Sequence, residues 1–110
     1  TQAVNIQKAL VAYIVDTGDV GLTSLKYGAS VASSGGTWET VVLALQTRQT
    51  VDTKTYEPYL NPKDGGDPKT ADFKTQWSGN KGYNIKVYKD RMNASVVVTT
   101  TPPEAISIGD

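Results

Sequence analysis

The chain has 110 residues and a mass of 11.8 kDa, the size of one small domain, and residues 1–110 are read as a single unit. It contains no cysteine and no histidine, which excludes disulfides, thiolate zinc sites and nucleophile–base pairs built on Cys or His. Eleven basic residues balance eleven acidic ones, so the basic footprint of general nucleic-acid binding is missing.

No apolar run reaches the roughly eighteen residues that a membrane-spanning helix needs. No charged-then-apolar leader opens the chain, so the sequence is not read as that of a precursor. Twelve Val, six Leu, five Ile and one Phe supply a modest core. Fourteen Thr beside those Val residues suit half-buried strands, a composition frequent in extracellular β-rich proteins.

Residues 1–15 contain neither Gly nor Pro. Ala3, Ile6, Leu10, Tyr13 and Ile14 recur close to the helical period, and Val4, Val11 and Val15 form a second apolar line. The spacing predicts a helix over about 2–15, stopped by Asp16-Thr17-Gly18, with Gly18 at a left-handed position. Because the apolar residues wrap beyond one face, such a helix has use for more than one partner. Residues 18–37 read as a loop tucked onto the core by Val20, Leu22, Leu25 and Tyr27, and broken by Ser33-Ser34-Gly35-Gly36.

Thr37 suits an N-cap, and Trp38, Val41, Val42 and Leu45 then make one apolar face. That predicts a short helix over about 38–48 with Arg48 at its C-terminus. Tyr56, Tyr59 and Leu60 read as one short strand interrupted by Pro58. Residues 61–68 read as a long turn, and Phe73 and Trp77 as anchors for a polar stretch. The last third is clearest. Tyr83, Ile85 and Val87 alternate with polar neighbours, and Val96–Val98 follow a four-residue turn at Asp90–Asn93. This predicts an antiparallel hairpin over about 83–101, ended by Pro102-Pro103, with Ile106 and Ile108 in a third short strand or an ordered tail. The fold class is α+β: an N-terminal amphipathic helix packed on a small antiparallel sheet, with a short second helix.

Several residue groups are candidate sites. Asp64 and Asp67, with Asp72 nearby, flank a Gly-Gly turn and could offer oxygen ligands to calcium, but the spacing is not that of an EF-hand, no Glu closes the site, and solvated turn chemistry is the favoured reading. Asn93-Ala94-Ser95 fits the N-glycosylation acceptor pattern. Tyr56, Tyr59, Trp77, Tyr83 and Tyr88 could form a carbohydrate platform or border the sheet. No nucleophile elbow, carboxylate pair or phosphate-cradling glycine loop occurs, so the chain is read as non-enzymatic, with no catalytic residue and no cofactor beyond that calcium.

The run Ala9-Leu10-Val11-Ala12-Tyr13-Ile14-Val15-Asp16-Thr17-Gly18 resembles the stretch A-L-x-x-Y-x-x-D-T-G that ends the long helix of type IV pilins and of the pseudopilins of type II secretion. The order that follows, a variable loop, a small antiparallel sheet and a C-terminal region against it, is similar too. The resemblance implies a structural subunit of an extracellular, cell-surface filament for adhesion, motility or secretion. Its partners would be identical subunits, minor pilins and an assembly platform, without nucleic acid. It implies a leader and an apolar membrane anchor ahead of Thr1, so that the chain is a soluble portion starting inside the helix. Val4, Ile6, Leu10, Val11, Tyr13 and Ile14 would then pack the subunits.

Two features depart from the family: many pilins have a C-terminal disulfide, and many have an aromatic–proline pair after the D-T-G, where this chain has Asp19-Val20-Gly21. The alternative is a secreted carbohydrate- or calcium-binding β-rich module.

Overall fold

The computed structural model describes residues 2–61, 67–70 and 79–109. The sequence expectations for Asp64, Asp72, Phe73 and Trp77 lie outside those residues. Within them the chain is α+β. Helix α1 (Gln2–Thr17) runs two residues further than the apolar spacing predicts, because Thr17 Oγ1 donates to the Tyr13 carbonyl at 2.7 Å and holds the last turn closed. Gly18 follows at φ 72° and donates to the Ile14 carbonyl at 2.8 Å, the left-handed ending expected of it.

The loop after α1 is not wholly irregular: β1 (Lys26–Tyr27) and β2 (Ser30–Val31) form a small antiparallel ladder. Leu22 and Leu25 are fully buried and anchor it, whereas Tyr27 points outward instead of into the core.

Helix α2 (Trp38–Leu45) is shorter than the spacing predicts. Thr37 is its N-cap, in extended conformation, and its N–H donates to Thr40 Oγ1 at 3.2 Å. The helix stops at Leu45 because the next polar side chains turn inward. Gln46 and Gln49 are both buried. The Gln49 side-chain amide accepts from the Lys26 N–H at 3.1 Å and donates to the Lys26 carbonyl at 3.0 Å, so it pairs with that residue as a neighbouring strand would. It also donates to the Ala44 carbonyl at 2.8 Å. The Gln46 amide treats Lys69 in the same way, donating to its carbonyl at 2.8 Å and accepting from its N–H at 3.2 Å. Two glutamines thus clamp two long connections to the end of α2. Arg48, expected at the helix terminus, instead pairs with Glu57 at 2.7 Å on the surface.

Strands β3 (Gln49–Val51) and β4 (Lys54–Tyr56) form a hairpin. The predicted strand through Tyr56, Tyr59 and Leu60 therefore ends at Tyr56. Pro58 removes a donor, and the Tyr59 and Leu60 N–H groups both bond to the Leu45 carbonyl at 2.9 Å.

The main sheet has the order β6-β5-β7. Strand β5 (Gly82–Tyr88) pairs antiparallel with β6 (Asn93–Thr99), from Gly82 opposite Thr99 to Tyr88 opposite Asn93. The connection is a 3-10 turn over Lys89–Arg91, one residue earlier than expected, closed by Met92 in the left-handed region. The period of two holds: Tyr83, Ile85, Val87, Ala94 and Val96 are buried, and Val97 is 56% exposed on the opposite face. Of the two expectations for the tail, Ile108 lies in a third strand, β7 (Ser107–Gly109), and Ile106 does not; β7 runs parallel to β5, with Lys86 opposite Ser107, so the sheet is mixed and not wholly antiparallel as expected.

The chain must cross from one sheet edge to the other after Thr99. It does so past the start of β5, where Gly82 has φ 138° and a methyl group would run into the Trp38 indole and Pro103. Glycine is required there by close approach as well as by backbone conformation.

Helix α1 lies against β6 and helix α2 against β5. Ile6, Leu10, Tyr13 and Ile14 from α1 and Trp38, Val41, Val42 and Leu45 from α2 meet the inner sheet face in one cluster. Each fully buried aliphatic side chain of this set contributes about 1.5–3 kcal/mol.

Candidate functional site

Helix α1 is where the fold and the functional expectations meet. Of the six residues singled out on it, Ile6, Leu10, Tyr13 and Ile14 are buried inside this chain's own core. Val4 is 47% exposed, Val11 is half-buried at the core's edge, and Val15, from the same second line, is 56% exposed. The two apolar lines therefore divide: one is spent on the sheet, and the other faces outward.

Between the outward line and the start of β6 lies a groove of about 460 Å³, lined by Gln7, Lys8, Val11, Ala12, Val15 and Asp16 along the helix, with Asn93 opposite. Gln7 Oε1 accepts from the Val96 N–H at 3.1 Å, which satisfies one backbone donor on the outer edge of β6 and fixes the helix to that edge.

The end of the helix is tightly organised. Tyr13 Oη donates to Asp19 Oδ2 at 2.6 Å. The same carboxylate accepts from the Thr23 N–H and hydroxyl, each at 3.0 Å, and from the Ser24 N–H at 2.9 Å. The Asp19 N–H donates to Thr17 Oγ1 at 3.1 Å. Asp16 accepts from Tyr59 Oη at 3.0 Å, and Tyr59 meets Tyr13 edge-on with ring centroids 6.0 Å apart.

Within Asp16-Thr17-Gly18, Asp16 thus holds Tyr59, Thr17 closes the helix, and Gly18 turns the chain. Burial, reinforced by the bond to Asp19, pushes the Tyr13 phenol well above its ordinary range. Burial and the bond to Asp16 push Tyr59 up to about 12. Burial alone would raise the Asp19 carboxyl, but the bonds from Tyr13, Ser24 and Thr23 outweigh it and hold that group below the usual carboxylate range.

The other expected sites are not assembled among the described residues. Asp67 belongs to no group of three or more acidic, His or Cys side chains, and its proposed partner Asp64 lies outside the described residues. The tyrosines do not form a platform. Tyr83 is buried edge-on to Trp38, Tyr59 is turned onto Tyr13, and Tyr88 carries Lys86 and Arg91 against its ring at 5.2 and 4.5 Å. Asn93 is exposed at the start of β6, its side-chain oxygen accepting from the Ala94 N–H at 2.9 Å.

Sequence reasoning missed Gln46 and Gln49, and it missed the role of Gln7. Polar side chains near a helix surface give no signal that they will turn inward.

No helix among the described residues is long and apolar enough to cross a membrane. Compared with family models, curated proteins and solved structures, the chain finds no match in any of the three.

Proposed function

We propose that this chain is the globular part of a type IV pilin-like subunit, a structural protein that polymerises into an extracellular filament. The observation that carries the reading is the division of α1 into two apolar lines. One line completes the domain's own core, while Val4 and Val15 are exposed on the same helix and Val11 is half-buried between them. A helix with a second apolar line needs a second partner, and a contact between unlike faces of identical copies propagates rather than closes.

The sequence similarity at Ala9–Gly18 supports the same reading, since its Asp16-Thr17-Gly18 is a built helix ending here, with every residue engaged. On this reading α1 continues into an apolar segment in the full subunit. That segment anchors the subunit in the membrane before assembly and bundles at the filament core afterwards. The exposed residues of the loop over 19–36, Tyr27 among them, meet neighbours or solvent and set adhesion and packing. No catalytic step is assigned.

The test separates the two lines. V11D/V15D, on the outward line, leaves the domain folded and abolishes filaments when placed in the full subunit. L10D, on the inward line, unfolds the domain. Normal filaments from V11D/V15D subunits would end the proposal.

A further inference from the structure

The net charge is zero, and exposed charges of both signs lie along the main sheet, Glu104 lining one outer-face groove together with Lys86 and Tyr88. At the Gly82 end of β5 a groove of about 410 Å³ lies between the start of α2 and the segment that crosses to β7. It is walled by Gly36, Thr37, Trp38, Glu39, Pro103 and Glu104. Glu39 and Glu104 are both exposed, and no ion pair among the described residues engages either.

Trp38 is only 4% exposed, yet its indole N–H has no acceptor among the described residues. Its Nε1 lies against the Gly82 backbone, where an added methyl group would meet it. Lys81, also at this end, does not line the groove.

The other end of the same strand is basic. Lys86 and Arg91 flank the Tyr88 ring, and Lys89 is exposed beside them. Asp90, 3.7 Å from Arg91, offsets one of these three charges. The Lys89–Met92 turn projects there, with Met92 39% exposed. Seven residues of strand separate the two ends by roughly 20 Å.

We propose that the acidic groove between α2 and the Pro103–Glu104 segment receives the Lys89–Met92 turn of a second copy of this chain, joining copies head to tail along the direction of β5. Lys89 and Arg91 meet Glu104 and Glu39. Because the groove and the turn are different surfaces of one molecule, the contact joins unlike faces and propagates instead of closing. The inference rests on the polymerising reading above and adds to the helix contact a second contact, between the sheet ends.

Charge reversal at both ends tests it. E39K/E104K makes both ends basic, and K89E/R91E makes both acidic; all four positions are exposed, and circular dichroism checks that each variant is folded. By sedimentation velocity at about 50 mM salt, where surface charges are least screened, the unaltered chain self-associates and each variant alone does so about tenfold more weakly or less. An equimolar mixture of the two variants associates as the unaltered chain does, since each groove then meets a turn of opposite charge. A mixture that stays monomeric, variants that associate unimpaired, or an unaltered chain that does not associate would each overturn the proposal. Filaments that V11D/V15D removes and E39K/E104K leaves intact would remove this contact while the polymerising reading stands. Swap-rescued association in a chain that builds no filaments would do the reverse.

Discussion

Replacing Gln49 by Leu removes one clamp while nearly keeping the side chain's size. The Gln49 amide forms two bonds to the Lys26 backbone, at 3.1 and 3.0 Å, and one to the Ala44 carbonyl at 2.8 Å. The Ala44 carbonyl keeps the Thr47 N–H and hydroxyl, at 3.0 and 2.9 Å, so the variant does not orphan it. The loss is therefore the Lys26 pair and the bond to Thr47 Oγ1 at 2.8 Å, a hydroxyl that keeps its own bond to the Ala44 carbonyl. A typical internal hydrogen bond contributes about 1 kcal/mol net. Lys26 lies in an exposed stretch where water can replace part of that loss, and the buried leucine contributes apolar contact in return. The expected cost is about 1.5–2 kcal/mol, a fall in melting temperature of roughly 8–10 °C for a domain of this size. Urea unfolding measures the first figure and calorimetry the second. Amide exchange should also show the Lys26 N–H losing its protection while the β5–β6 ladder keeps its own. A Q49L variant within about 0.5 kcal/mol of the parent would refute the clamp as a source of stability.

Three further outcomes follow from the geometry. G82A places a methyl group against Trp38 and Pro103 at φ 138° and should cost about 3 kcal/mol or more, with loss of the near-ultraviolet tryptophan signal. T53G should stabilise by about 1 kcal/mol in thermal melts, because Asp52 and Thr53 turn the β3–β4 hairpin at φ 51° and 69°, where a β-branched residue is strained and glycine is not. Stability should fall at both pH extremes. Tyr13, Tyr59 and Tyr83 are raised above 10.0, so their contribution is complete below pH 10 and is lost as pH climbs towards 12. Asp19 is lowered from 3.8, so its contribution is complete above that value and is lost as pH falls through its depressed folded value. Tyrosinate absorbance followed together with circular dichroism should show Tyr13 ionising only as the domain unfolds.

The elements legible in the sequence are those set by local periodicity. The inward line of α1, the face of α2 and the alternation at Tyr83, Ile85 and Val87 each follow from the side-chain period of the element. Gly18 was legible because a left-handed helix ending strongly favours glycine. What escaped the sequence is set by distant partners. Gln46 and Gln49 point inward because backbone groups of Lys26 and Lys69 wait there, 23 residues away in each case. Strand β7 joins the far edge of β5 because the near edge is already taken by β6, a choice that three residues cannot encode. The second helix ends early because Gln46 leaves the helical surface to reach Lys69. The proposed interaction surface was legible as a pattern, two apolar lines on one helix, but which line is exposed depended on where the sheet packs.

The most direct test of the polymer reading is immunogold electron microscopy of cells that produce the full subunit, using antibodies raised against residues 19–36. The account predicts gold spaced along extended surface filaments, and loss of those filaments with V11D/V15D. Label confined to free protein in the medium, with no filament decorated, would contradict it and favour a self-contained secreted binding module.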